Sequence, residues 1–305
     1  MFRPIASLLI EIDLIKLLEK NGFFYVEDIE SAPDAAAKIV DPKIIKELLK
    51  PPEALLALKY WQTEIECERV KTFINKFDNL LNGGFQCGTI NEICGQRGSG
   101  KTQICFQISL SVQLPKKYGG LEGKSLYIDT RNGFSTKRLQ DMIKGYNKLH
   151  PQLKLNEDQM LDRILVMSPG SPEELCSELK NLNHNLETSY GLRLIIVDSL
   201  TFPIISSVGE PFQRIKYYTN IIKDLQAIAM KHKIAVVMTS ELSNQIDSKG
   251  EHCVASIAGI TVAHRVHRRL MLARIRDNRF AAKIIKSNVL PQTIIPFDVT
   301  TDGTV

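Results

Sequence analysis

Several features that define other protein classes are missing from this sequence of 305 residues. It contains no run of 18 apolar residues, so we expect no segment that crosses a lipid bilayer. Its six cysteines form no Cys-x-x-Cys pair, which favours reduced, packed thiols over zinc ligands or disulfides. The first 18 residues lack the small-residue cleavage site of a secretory signal. We therefore expect an ordinary intracellular globular protein.

Charge of one sign is not in large excess either, since 39 basic residues oppose 34 acidic ones and leave a formal net charge of +5. The positive charge is concentrated in residues 261–286, where six arginines and two lysines accompany a single acidic residue, Asp277. Such a surface suits a polyanion such as nucleic acid. It equally suits two solvated edge strands whose charges discourage aggregation, and the sequence leaves both interpretations open.

The most informative motif is a phosphate-binding pattern G-x-x-x-x-G-K-[ST], formed by Gly95, Gln96, Arg97, Gly98, Ser99, Gly100, Lys101 and Thr102. A strand-like segment precedes it and a helical segment from Gln103 follows it, which is the context that the pattern requires. Its glycines allow backbone N–H groups to approach phosphate oxygens. Lys101 would then reach the β- and γ-phosphates, and Thr102 would ligate Mg²⁺. The alternative, a glycine-rich turn that matches by chance, lacks this flanking pattern.

A second strand supports the nucleotide interpretation, because residues 194–198 are four apolar residues followed by the carboxylate of Asp198. Ligands of open α/β sheets bind at the carboxyl ends of the strands, where Asp198 can hold a water on Mg²⁺. Many buried strands end in Asp for reasons of capping, so the combination with Lys101 and Thr102 carries the argument. The sequence thus predicts a site for ATP and Mg²⁺.

The alternation of strand-like and helical segments after the phosphate loop predicts an α/β fold with a central, mostly parallel sheet. Residues 1–50 predict a small all-α domain, residues 51–72 a linker that opens at Pro51-Pro52, and residues 73–305 the nucleotide-binding core. Residues 54–60 are more apolar than a linker requires. They either add as a strand to a neighbouring subunit's sheet or pack on their own domain.

Five stretches between residues 70 and 303 resemble a eukaryotic recombinase paralogue of the RecA-like strand-exchange family: LNGGFQCGTINEICGQRGSGKTQICFQ, QLPKKYGGLEGKSLYIDT, LRLIIVDSLTFP, VAHRVHRRLML and KIIKSNVLPQTIIPFDVTTDG. The EICG before the loop and Phe202-Pro203 are most similar to the C paralogue, whereas GGLEG also suits the B paralogue. The resemblance implies a RecA-like P-loop ATPase core and ATP-dependent assistance to the strand-exchange recombinase in homologous-recombination repair. It also implies binding of single-stranded or branched DNA, hetero-oligomers with other paralogues, and a location in the nucleus, with the cytoplasm second.

The same resemblance implies roles for individual residues. The phosphate loop through Gln103 would bind the nucleotide, and Arg138 would stack on the adenine. Residues 206–213 and 243–256 would be loops that face DNA, although ordinary solvent loops remain the alternative because acidic residues dilute their charge. The candidate DNA contacts are Arg214, Lys249, His252, Arg265, Arg268 and Arg269. The candidate subunit-interface residues are Ala54, Leu55, Lys286 and Pro291.

Three departures from the family pattern qualify these roles. Arg131 stands where the family has a catalytic Glu, and because a guanidinium cannot accept a proton we expect slow ATP hydrolysis at most. Ser240-Glu241 stands where the family has an Asn-Gln sensor, so we expect a carboxylate that repels the γ-phosphate. Residues 41–49 lack the glycine-containing hairpin that usually contacts DNA.

Two other functions remain as alternatives. A RecA-fold helicase-type motor would need the Glu that Arg131 replaces. A small-molecule P-loop kinase would want an arginine-rich lid and a free carboxylate as base.

Overall fold

The computed structural model describes residues 4–5, 12–48, 54, 56–186, 191–246 and 252–304. The chain divides into two compact units, Met1–Glu66 and Cys67–Val305. This division falls inside the expected linker of residues 51–72. Among the described residues, no helix is both long enough and apolar enough to cross a membrane.

The smaller unit is helical, with α1 at Ile12–Lys20, α2 at Val26–Ser31, α3 at Pro33–Ala36, α4 at Pro42–Leu48 and α5 at Ala57–Ile65. Its apolar core includes the buried side chains of Leu18, Phe23 and Ile29.

Helix α5 occupies much of the segment for which strand addition was one of two expectations. Its sequence, ALKYWQTEI, contains no glycine or proline and is rich in good helix formers. The conformation is therefore helical from Ala57, and residues 57–60 supply no extended strand. Ala54 is exposed, and Leu55 lies outside the described residues.

The larger unit contains a short two-stranded sheet, β1 (Arg69–Val70) with β2 (Phe85–Gln86), and a ten-stranded sheet among its described residues. The strands of the large sheet are β3 Ile90–Gly95, β4 Lys124–Asp129, β5 Ile164–Met167, β6 Leu192–Asp198, β7 Ala235–Ile246, β8 His252–Ser256, β9 Arg268–Arg276, β10 Arg279–Lys286, β11 Ile294–Thr300 and β12 Gly303–Thr304. Their order is β12-β11-β10-β9-β3-β7-β6-β4-β5, and β8 pairs with β7. Strands β9, β3, β7, β6, β4 and β5 are joined by parallel pairing. The predicted central, mostly parallel sheet is confirmed.

Helices cover both faces of this sheet: α6 Asn75–Leu80, α7 Lys101–Ser111, α8 Thr136–Leu149, α9 Glu157–Asp162, α10 Pro172–Asn185, α11 Thr201–Ser207, α12 Pro211–His232 and α13 Gly259–Arg265. Alternate residues of β6 belong to different cores, because Leu194 and Ile196 pack in one apolar cluster while Ile195 and Val197 pack in the other. Burial on both faces explains why the strand reads as an unbroken apolar run.

The described parts of the two segments expected to form DNA-facing loops contain regular secondary structure. Strand β7 continues to Ile246 and pairs with β8, from Leu242 opposite Ser256 to Ile246 opposite His252. Antiparallel pairing satisfies backbone groups that a long open loop would leave to water. In the other segment, α11 extends to Ser207 and α12 begins at Pro211, so only residues 208–210 connect the helices.

Candidate nucleotide-binding site

The phosphate-binding motif forms a tight loop between β3 and α7. Gly95 ends β3, and a Cβ at this position would lie 2.5 Å from the carbonyl oxygen of Leu272. Gly100 precedes α7 with φ of +88°, a left-handed conformation that glycine adopts without strain. Backbone geometry therefore demands glycine at both ends of the loop, and it turns the N-terminus of an 11-residue helix towards the site.

The side chain of Lys101 lies inside the phosphate loop and contacts its backbone. Its Nζ donates to the carbonyl oxygens of Gly95 and Gln96 at 2.8 and 2.9 Å, and the side chain is largely buried. Burial lowers the pKa of the Lys101 amine, while the carboxylates of Glu241 and Asp198 oppose this shift. A partly desolvated ammonium inside a ring of backbone is suited to bind phosphate oxygens.

Asp198, at the end of β6, accepts three hydroxyl hydrogen bonds. Thr102 Oγ1 and Tyr127 Oη each donate to Oδ2 at 2.7 Å, and Thr239 Oγ1 donates to Oδ1 at 2.6 Å. Burial, followed by the charge of Asp198, raises the pKa of Tyr127 well above its usual value, so the phenol stays a donor. The hydroxyl of Thr102 and the carboxylate of Asp198 are hard oxygen ligands that fit Mg²⁺.

These elements surround a cavity of about 570 Å³, a volume typical of small-molecule sites. The lining includes the loop residues from Arg97 to Gln103 together with Arg131, Asp198, Phe202 and Phe280. Arg138, expected to stack on adenine, donates to Gln103 Oε1 at 2.7 Å and to the carbonyl oxygens of Thr300 and Thr301. It is thus linked to the cavity wall through Gln103.

Arg131 and Glu241 form an ion pair that sequence reasoning missed. An Nη of Arg131 lies 2.7 Å from Glu241 Oε1, and Arg97 Nε lies 3.4 Å from the same oxygen. The Arg131 guanidinium also lies over the ring of Phe202, 4.8 Å from its centroid. The carboxylate that we expected to repel phosphate is therefore compensated by two arginines. The sequence carried a signal, because Arg131 and Glu241 are unusual residues of opposite charge. Arg131 follows β4, Glu241 lies in β7, and both strands flank β6.

Two arginines of the basic segment face inward, although we expected them to contact DNA. Arg268 is buried, and its Nη1 donates to the carbonyl oxygens of Leu81 and Gly84 at 3.1 Å. Arg269 pairs with the fully buried Glu92, with Nε 2.8 Å from Oε2. Consecutive residues of a strand point to opposite faces, and both faces of β9 are covered at its start, from Arg268 to Leu272. This geometry argues against a direct DNA contact by Arg268 and Arg269.

The other candidate DNA contacts differ in their exposure. Arg265 is exposed, whereas Arg214 is half-buried and donates to the carbonyl oxygen of Val208 at 2.6 Å. Lys249 lies outside the described residues, and for His252 only the backbone, in β8, is described.

The interface candidate Lys286 is engaged within its own chain, and Pro291 is exposed. Lys286 Nζ donates to the carbonyl oxygens of Ala263, His264 and Val266 at the end of α13. A cation at this position satisfies carbonyl groups that the helix leaves open, and burial lowers the pKa of the Lys286 amine.

The chain is similar to a known protein family. A family model described as Rad51 matches residues 64–305, which is well over half of the chain. The matched region contains the phosphate loop, Asp198 and the Arg131–Glu241 pair.

We predict that Tyr127→Phe lowers the free energy of unfolding by about 1.5–3 kcal/mol, because a hydrogen bond to a buried carboxylate is lost. Urea unfolding followed by circular dichroism measures the effect. Tyr218→Phe is the matched control, since the Tyr218 hydroxyl is buried and has no hydrogen-bond partner among the described residues. Equal destabilisation by the two substitutions would contradict a specific role for the Tyr127–Asp198 bond.

Proposed function

Because the chain belongs to the Rad51 family, we propose that it is an ATP-binding recombinase paralogue that assists the strand-exchange recombinase. The family comprises RecA-like recombinases of homologous recombination that bind ATP with Mg²⁺, act on DNA and form oligomers. This membership favours recombination over the helicase and small-molecule kinase alternatives.

One observation carries the paralogue assignment. A complete phosphate loop, with Lys101 and Thr102 in place, lies beside a cation, Arg131, where strand exchange would call for a catalytic carboxylate. Within this group we favour the C paralogue over the B paralogue, on the EICG segment before the loop and on Phe202-Pro203.

The described residues around the cavity account for binding without rapid turnover. Lys101 would exchange the loop carbonyls for phosphate oxygens, and Thr102 and Asp198 would hold Mg²⁺, which neutralises phosphate charge. Asp198 already accepts three hydroxyl groups, and Glu241 is paired with two arginines. Neither carboxylate is free to accept a proton from an attacking water.

We predict that the chain binds ATP with Mg²⁺ and that Lys101→Ala abolishes this binding, as measured by isothermal titration calorimetry. Turnover in a phosphate-release assay should fall below the range of about 1 to 1,000 per second that is usual for enzymes. Arg131→Glu alone should not restore turnover, because the new carboxylate would face Glu241. The double variant Arg131→Glu/Glu241→Gln removes that repulsion and should turn over faster. Wild-type hydrolysis within the enzyme range would contradict the proposal.

We propose that DNA binds at the edge of the sheet that carries the phosphate loop. Strands β7 and β9 run parallel to β3, so the paired ends of β7 and β8 and the tip of the β9–β10 hairpin extend from this edge. Three exposed arginines lie near the tip of the β9–β10 hairpin: Arg274, Arg276 and Arg279. Together with Arg265 they form the solvent-facing part of the basic segment.

We predict weak binding of single-stranded DNA with a strong salt dependence. Each phosphate contact contributes roughly 0.7 to the slope of log affinity against log salt, so Arg276→Gln/Arg279→Gln should reduce the slope by about 1.4. Fluorescence anisotropy at several salt concentrations measures it. Arg163→Gln, which replaces a half-buried arginine that donates to the carbonyl oxygen of Glu122, is the control. A slope unchanged by the double variant would remove the β9–β10 tip from the proposed DNA surface.

We also propose hetero-oligomers with other paralogues in the nucleus. Strand β5 is the last strand of the described sheet on its side, and its residues Leu165 and Val166 are 45% and 46% exposed. An edge strand with exposed apolar side chains can accept an extended segment of a partner. Pro291 and the segment around Lys286 remain interface candidates.

We predict that the tagged chain, captured from its own cells, retains other Rad51-family chains identifiable by mass spectrometry. Val166→Lys should reduce their recovery, because a charge on the edge strand opposes strand addition. Leu149→Lys, which alters an exposed apolar residue at the end of α8, should not. Recovery of the chain alone, at monomer mass, would contradict the oligomer proposal.

A further inference from the structure

We propose that Arg131 binds the terminal phosphate of ATP and so makes the site prefer a nucleoside triphosphate to a diphosphate. This inference rests on the nucleotide-binding function proposed above and adds a specificity-determining residue to that site. It concerns binding alone and requires no hydrolysis.

The position of Arg131 supports this role. Its side chain lines the same cavity as Lys101, Thr102 and Asp198. Its backbone is fixed, because the Arg131 N–H donates to Asp129 Oδ1 at 3.0 Å. Burial is the main cause of the lowered pKa of the Lys101 amine, and the nearby charge of Arg131 lowers it further. A phosphate loop encloses the α- and β-phosphates and its lysine reaches the β- and γ-phosphates, so a cation next to that lysine faces the γ-phosphate.

The hydrogen bonding of the cavity also points to an anionic ligand. Arg131 Nε is buried and has no hydrogen-bond partner among the described residues, and the same is true of Ser99 Oγ in the loop. Both residues line the cavity. A buried donor without a partner costs free energy, and a phosphate oxygen can satisfy it.

Glu241 supplies the competing anion. Its Oε1 lies 2.7 Å from an Nη of Arg131, and its backbone is held in β7, where its carbonyl oxygen accepts from Ile257 N at 3.0 Å. A γ-phosphate offers a guanidinium more charge and more acceptor oxygens than a carboxylate does. ATP would therefore draw Arg131 from Glu241, whereas ADP would leave the ion pair intact.

The test compares the affinities of the β,γ-imido analogue of ATP and of ADP, each with Mg²⁺, by isothermal titration calorimetry. Arg131→Gln should weaken binding of the triphosphate by about ten- to hundredfold, the loss of a charge-assisted hydrogen bond, and change ADP binding little. Glu241→Gln should strengthen binding of the triphosphate, because it removes the competitor. Arg163→Gln should alter neither affinity.

A double variant separates the lost contact from the repulsion of a stranded Glu241. In the Glu241→Gln variant, the additional substitution Arg131→Gln must still weaken binding of the triphosphate and leave binding of ADP little changed. Thermal unfolding by circular dichroism verifies that each variant folds. This inference alone is overturned if the wild type binds both nucleotides and Arg131→Gln either weakens the binding of both equally or changes the binding of neither. If the folded wild type binds neither, the proposed function fails and this inference with it.

Discussion

The site depends on one carboxylate at the end of a buried strand. Asp198 receives hydroxyl groups from α7, β4 and β7, through Thr102, Tyr127 and Thr239. Each of these hydrogen bonds to a charged group contributes roughly 1.5–3 kcal/mol, and removal of the carboxylate would leave three polar groups without a partner. The phosphate loop is thus fixed to the sheet through the residue that is placed to serve Mg²⁺. Binding geometry and local stability depend on the same contact.

Arginine–carboxylate pairs determine the charge at the edge of the sheet that carries the phosphate loop. Glu92, fully buried in β3, is paired with Arg269 and also accepts from the Ser240 hydroxyl. The neighbouring residue Glu241 is paired with Arg131 and Arg97. Breaking a buried pair by removing one partner typically costs about 3–5 kcal/mol, because the remaining charge stays buried. Much of the local positive charge is therefore committed within the protein and is not available to a polyanion.

The parts that the sequence predicted are those governed by local pattern. The phosphate loop, Asp198 and the buried strand Leu192–Asp198 follow from glycine spacing and from unbroken apolar runs. The inward turn of Arg268 and Arg269 could not be predicted in this way, because the charge of a residue does not reveal which face of a strand it occupies. The pairing of β7 with β8 was missed for a related reason, since the polar residues of these strands resemble a loop until the pairing register is known.

The pairing of Arg131 with Glu241 changes the meaning of both residues. Taken singly, Arg131 removes a base and Glu241 adds a charge that opposes phosphate, so each substitution by itself weakens an ATPase site. As an ion pair across the end of β6, the two residues neutralise each other's charge, and the ring of Phe202 packs against the guanidinium of Arg131. A neutral pair of this kind can be opened by a stronger anion, whereas a catalytic carboxylate would have to remain free to act on water. The geometry therefore suits a subunit that responds to the presence of a nucleotide better than one that consumes it.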